Sequence, residues 1–72
     1  MRLYSIDTLY GDHIGYTIAN SETEAMGNNG ENVTVIDVAD VYSPREIQEI
    51  IDEELDESED VIQALLAEYE LL

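Results

Sequence analysis

The sequence predicts an α+β fold, a three-stranded antiparallel sheet followed by two C-terminal acidic helices, and three observations carry the prediction. Apolar residues largely alternate through positions 4–18, a β-branched run occupies positions 33–38, and from position 44 onward apolar residues recur at helical spacing. The 72 residues make one acidic domain, 1–72, since a chain this short buries only about 60% of its unfolded surface and has no material for a second core. Hydrophobic residues are 44% of the chain, including eight Ile, seven Leu and five Val, which is enough apolar surface to fold despite the charge.

The first strand is Tyr4 to Tyr10, with Tyr4, Ile6 and Tyr10 on one face, and the second is His13 to Ile18, with Ile14, Tyr16 and Ile18 on one face. Gly11-Asp12 between them predicts a two-residue hairpin turn in which glycine takes the positive φ. Residues Asn20 to Asn32, rich in Asn, Gly, Ser and Thr, read as a loop with one helical turn from Glu22 to Met26 and a mobile tip at Gly27 to Gly30. Val33 to Val38 is the third strand by its β-branched content. Ser43-Pro44-Arg45-Glu46 then places Ser at an N-cap, Pro at the first helical position and Glu where a capping box needs it. Ile47, Ile50, Ile51 and Leu55 share one helical side, and Val61, Ile62, Leu65, Leu66 and Tyr69 continue it nearly in phase. Glu54 and Ser58 interrupt that side, and Ser58-Glu59-Asp60 resembles a fresh helix start. Two helices are therefore expected, Pro44 to Leu55 and Glu59 to Glu70, both packed on one side of the sheet, with one long bent helix as the alternative.

The charge narrows function further. Two basic residues, Arg2 and Arg45, stand against eighteen acidic ones, there is no Lys, and the net charge is −16. Nucleic acid and anionic membrane, which are bound through Lys and Arg, are excluded as direct ligands, and a basic partner is expected instead. No apolar run is long enough to span a membrane, and the first ten residues have neither the basic stretch nor the apolar core of an export signal. With no Cys in the chain, a cytoplasmic location is expected.

Catalytic chemistry has few residues to use. His13 is the only imidazole and sits beside a turn, where a solvated residue is the ordinary outcome, and no Gly-rich phosphate loop precedes a helix. Asn20 to Glu31, with Glu22, Glu24 and Glu31, lacks the spacing of an EF-hand calcium loop. Ser58, flanked by Glu57 and Glu59, lacks the Asp-Ser-Leu setting of an acyl carrier's attachment serine. No catalytic, cofactor-binding or metal-binding residue is assigned, and no cofactor is expected.

What the sequence presents is an acidic run. Glu46, Glu49, Asp52, Glu53, Glu54, Asp56, Glu57, Glu59 and Asp60 place nine acids in fifteen residues, about 21 Å at helical rise. B-DNA carries about twelve phosphates over that length. On an unbroken helix these acids make ten like-charge pairs at i,i+3 or i,i+4, costing about 0.2 to 0.5 kcal/mol each, in a domain with only about 3 to 5 kcal/mol to spare. A solvated helix face is the ordinary reading of such a run, and adaptation to molar salt, in a halophilic structural domain, belongs with it. The near-absence of interspersed Lys or Arg favours carboxylates that imitate a phosphate backbone. On that reading the partner-binding residues are Glu49, Asp52, Glu53 and Asp56, a stripe opposite Ile47, Ile51 and Leu55, flanked by Glu46, Glu57, Glu59 and Asp60.

In its length, its lack of Lys and Cys, and the acid-rich segment Glu49-Ile50-Ile51-Asp52-Glu53-Glu54-Leu55-Asp56-Glu57-Ser58-Glu59-Asp60, the chain resembles the small acidic DNA-mimic proteins of phages. That group includes host-takeover proteins that bind the histone-like nucleoid protein HU, anti-restriction proteins and some CRISPR inhibitors, and it shares neither a motif nor a common fold. The resemblance implies competition with DNA for the basic groove of a DNA-binding protein, with a nucleoid-associated protein such as HU as the first expected target and the host cell cytoplasm as the place. A homodimer is also expected, because Leu65, Leu66, Tyr69, Leu71 and Leu72 are more apolar surface than one thin sheet can cover.

Overall fold

A computed structural model describes residues 1–30 and 32–72. The chain forms β1 (Arg2–Thr8), β2 (His13–Ala19), α1 (Glu22–Asn29), β3 (Val33–Asp37), a single 3-10 turn (Val38–Asp40), α2 (Pro44–Glu53) and α3 (Glu59–Glu68). The sheet is antiparallel in the order β2-β1-β3, and the two C-terminal helices follow it, as the patterning predicts.

Because β1 is central, it is covered on both faces, and Leu3, Tyr4, Ser5 and Ile6 are all buried. Alternation alone assigned this strand one apolar face ending at Tyr10. The strand instead stops at Thr8, and Tyr10 is 94% exposed in the turn. That turn has four residues, 9–12, rather than two, and Thr8 organises it. The Thr8 N–H donates to the Asp12 carbonyl (2.7 Å) and the Thr8 carbonyl accepts from the Gly11 N–H (3.0 Å). Thr8 Oγ1 accepts from the N–H groups of Tyr10 (3.2 Å) and Asp12 (3.1 Å). Gly11 does take the positive φ, at +91°. Beyond it the register slips, with Asp7 opposite His13 but Ile6 opposite Gly15, which leaves Ile14 as the extra residue of a bulge. Ile14 is therefore 56% exposed and does not share the buried role of Tyr16 and Ile18.

The segment after β2 is the largest departure from the sequence reading. Gly27 and Asn28 lie in a helix of eight residues, not in a mobile tip beyond a single turn. Ser21 Oγ caps it by accepting from the Glu24 N–H (3.1 Å), and Gly30, at φ +92°, closes it by donating its N–H to the Met26 carbonyl (3.0 Å). Its propensity is poor, so packing decides: Ala25 is fully buried in a small core with Tyr4, Ile6, Ala19 and Val35. The sheet thus has α1 on one face and α2 with α3 on the other.

The larger core lies on the α2/α3 side, where Leu3 and Val38 meet Ile47, Ile50, Ile51, Leu65 and Leu66. Val38, expected in β3, reaches this core from the 3-10 turn. The capping box forms as predicted: Ser43 Oγ accepts from the Glu46 N–H (3.3 Å), and Glu46 Oε1 accepts from the Ser43 N–H (3.1 Å). The chain then breaks between Glu53 and Glu59 into two helices, with α2 two residues shorter than expected. Ser58 stands at the N-cap of α3 without a side-chain cap bond. Leu65 and Leu66 are buried, and Tyr69 and Leu71 pack against the same core, so only Leu72, 75% exposed, remains of the apolar surface that suggested a homodimer.

One polar clasp joins the two ends of the chain. The Leu3 N–H and carbonyl lie past the end of β3, and the Tyr69 hydroxyl takes the place of the missing strand partner. It accepts from the Leu3 N–H (2.8 Å), and its proton lies within reach of the Leu3 carbonyl (3.1 Å) and Asp37 Oδ1 (3.0 Å). Arg2 pairs with Asp37 Oδ2 through Nε, reaches Glu68 Oε1 with Nη1 (3.3 Å) and lies over the Tyr69 ring at 4.4 Å from its centroid. Burial pushes the Tyr69 phenol up to about 12. Burial alone would raise the Asp37 carboxyl, but the bonds from Arg2, the Ala39 N–H and Tyr69 outweigh it and hold the group below the ordinary range.

Two stability outcomes follow from these contacts. A carboxyl held below its ordinary value stabilises the fold fully above that value, near pH 4, and loses the contribution as pH falls through the lowered one. Asp37→Asn should therefore cost about 1 to 2 kcal/mol at pH 7, and urea midpoints should show the gap to the parent narrowing at pH 3; a gap independent of pH would contradict the clasp. Helix α3 ends with the Leu71 N–H on the Leu66 carbonyl (2.8 Å) and the Glu70 N–H on the Ala67 carbonyl (3.1 Å), with Glu70 left-handed at φ 59°. That position favours glycine, and an acid there also opposes the helix dipole, so Glu70→Gly should raise the urea midpoint by about 1 kcal/mol equivalent.

Candidate partner-binding surface

Every acid assigned to partner binding is exposed, but they do not lie on one helix. Glu46, Glu49, Asp52 and Glu53 belong to α2, Asp56 and Glu57 to the link between the helices, and Glu59 and Asp60 to the first turn of α3. Asp56 is consequently not part of a helical stripe, and the straight 21 Å helix of carboxylates does not exist. The physical reason is repulsion. Ending α2 at Glu53 leaves only Glu46–Glu49, Glu49–Asp52 and Glu49–Glu53 of the ten like-charge pairs within a helix. The first turn of α3 then sets Glu59 and Asp60 at the positive end of its dipole, where acids are stabilising.

Glu49 belongs to all three surviving pairs. Its one relief is Arg45, four residues earlier, at 3.9 Å between two strongly exposed side chains, a geometry worth little. Arg2 is committed to the clasp, so Arg45 is the one strongly exposed cation among the described side chains.

Two of the hollows on this surface border α2. One, of about 180 Å³ between β2 and α2, is lined by Tyr16, Tyr42, Glu46, Glu49, Ile50, Glu53 and Glu54. The other, of about 290 Å³ between α2 and α3, has Ile51, Leu55, Ile62 and Leu66 along it with Asp52, Glu57 and Glu59. Sequence reasoning missed Tyr16, Tyr42 and Glu54 as members of the surface. Alternation places Tyr16 on one strand face with Ile14 and Ile18, and Glu54 counts in the acidic run but falls outside the stripe and its flanks. Their meeting depends on how α2 crosses the sheet. Tyr42 is set by the 3-10 turn, its N–H donating to the Val38 carbonyl at 2.8 Å, and it packs against the core just before the helix cap. Burial pushes the Tyr16 phenol up to about 12, with Tyr42 and the Glu54 charge acting in the same direction, so the hydroxyl stays neutral at physiological pH.

His13 is exposed beside the turn, as expected, but its ring has partners. It opens β2, its ring tilts against Tyr16 (centroids 4.8 Å apart), and its Nδ1 lies 3.2 Å from Asp7 Oδ1 and 3.3 Å from Ser5 Oγ. A serine relay needs the nucleophile and the acid on different ring nitrogens, whereas here both face the same one. Glu22 and Glu24 lie exposed on α1, and Glu31 lies outside the described residues. Among the described residues no three His, Asp or Glu side chains gather in a way that could hold a metal ion, and no helix is long and apolar enough to cross a membrane. No protein-family model matches the chain, and no curated protein or solved structure shows significant similarity to it.

The hub position of Glu49 makes a direct test of the repulsion. Glu49→Gln removes three like-charge pairs, about 0.2 to 0.5 kcal/mol each, against one weak pair with Arg45. The melting temperature should rise in low salt and the gain should shrink as salt screens the charges; an equal effect at low and high salt would point to helix propensity instead.

Proposed function

We propose that this protein is a non-enzymatic DNA mimic that binds a basic DNA-binding protein and keeps it from DNA. The observation that carries the reading is charge density over the whole molecule. Its long axis is 33 Å and it carries eighteen acids, while B-DNA of that length carries about nineteen phosphates. The exposed carboxylates from Glu46 to Asp60 pass continuously across α2, the link and the start of α3, where Arg45 is the one Arg or Lys side chain among the described residues. The mimicry is therefore of a compact charged surface, not of a straight helical stripe. The resemblance to phage DNA-mimic proteins supports a nucleoid-associated protein such as HU as the first target to try, in the cytoplasm of a host cell.

In a competition assay the parent should displace duplex DNA from its target, with an affinity that falls steeply as salt is added. Replacing Glu49, Asp52, Glu53 and Asp56 together by Gln or Asn should abolish displacement and leave the fold intact or slightly more stable. The matched control is Asp12, Glu22, Asp40 and Glu70, which are exposed and lie outside α2, the link and α3; Glu24 does not serve, because it shares a hollow with Glu57 and Val61, nor does Asp37, because it holds the clasp. Equal loss from both sets would make total charge responsible and remove the surface assigned here. A chain that is unfolded in low salt and folds only in molar salt would favour the halophilic reading.

A further inference from the structure

We propose that the cleft between β2 and α2 is a receptor for an arginine side chain of the basic partner, with the guanidinium against the rings of Tyr16 and Tyr42 and between the carboxylates of Glu46, Glu49, Glu53 and Glu54. The inference deepens the reading above and takes from it that the partner is basic. What it adds is a preference that charge alone does not supply. A phosphate-like surface attracts lysine and arginine alike, whereas a planar guanidinium also stacks on aromatic faces and forks onto carboxylates.

Two independent observations select this occupant. The first is the composition of the cleft, which sets two tyrosines and Ile50 beside acids supplied by α2 and its C-cap, with no Arg or Lys among its lining residues. Arg45 is not among them; it extends to Glu49 from the strongly exposed surface. The second is that the protein already holds one guanidinium in this way. Arg2 lies 4.4 Å from the centroid of the Tyr69 ring while it pairs with Asp37 and Glu68, so a tyrosine face with two carboxylates is a combination this fold uses to bind arginine. The cleft repeats those groups with two tyrosines and four carboxylates, of which Glu49 alone has an arginine near it, the exposed Arg45 at 3.9 Å.

The test is a titration of the full chain with a short arginine–glycine peptide and with a lysine–glycine peptide of the same length and charge, read by calorimetry and by the ring resonances of the tyrosines. The arginine peptide should bind about two- to fivefold more tightly, the factor expected for an aromatic contribution at a partly exposed site. It should shift the rings of Tyr16 and Tyr42 and leave that of Tyr10 in place. Tyr42→Leu, which keeps an apolar residue against the core, should remove the preference without changing charge, and Tyr42→Phe should keep it. Equal binding of the two peptides by the parent, or a preference that survives Tyr42→Leu, overturns the proposal. Should Tyr42→Leu fail to fold, the ring shifts of the parent decide, and shifts confined to Tyr10 overturn it. Displacement of DNA by the parent with no arginine preference leaves the mimic reading standing and removes the cleft. An arginine preference at these rings without displacement of DNA does the reverse.

Discussion

The fold depends on closing its first strand onto its last helix turn, and the Tyr69 hydroxyl does this. Strand β3 ends at Asp37, so the Leu3 backbone would face an open edge if Tyr69 did not occupy the next ladder position. Leu3 is fully buried at the centre of the larger core, where an unsatisfied amide is costly. Arg2 extends the same contact by covering the Tyr69 ring and neutralising Asp37 and Glu68. One basic residue thus serves where two acids and an aromatic converge, and the described side chains leave Arg45 alone to balance the remaining surface.

The second constraint is self-repulsion, and it shapes the C-terminal half. A continuous helix from Pro44 to Glu70 would carry its apolar residues nearly in phase, and hydrophobic patterning alone permits it. The acids do not. Breaking the helix after Glu53 lets Asp56 and Glu57 face water without stacked like charges and places Glu59 and Asp60 at a helix start that stabilises them. The same break folds α3 back so that Leu65 and Leu66 close the core over Leu3 and Ile51. What relieves charge also completes the packing, which is how so small an acidic chain forms a core within one protomer.

The surface that results combines two ways of meeting a cation. Around Glu57, Glu59 and Asp60 the carboxylates are exposed and attract positive charge at long range. Between β2 and α2 they line a hollow together with two tyrosines, a set of groups that chemically resembles the Arg2 clasp. On the proposed function, the first draws a basic protein in and the second distinguishes among its side chains.

Much of this is legible in the sequence. The capping box at Ser43 and Glu46, the apolar phase of Ile47, Ile50 and Ile51, the glycine of the first turn and the sheet-then-helix order follow from local rules in which neighbours a few residues apart determine the conformation. The exposed acids were equally legible, because no fold buries so many unpaired charges. Helix α1 was legible only in part: a turn from Glu22 to Met26 is expected, whereas Gly27 and Asn28 favour a loop and join the helix where Ala25 packs against Tyr4 and Val35. The bulge at Ile14, the clasp of Arg2 with Asp37 and Tyr69, and the meeting of Tyr16 with Tyr42 and Glu54 likewise join or displace groups in ways no local pattern encodes. Sequence alone determined the elements and the sign of the surface, because period and charge are local or additive properties. Tertiary structure decided which of those charges and rings stand together, because that depends on strand register and on where each helix crosses the sheet.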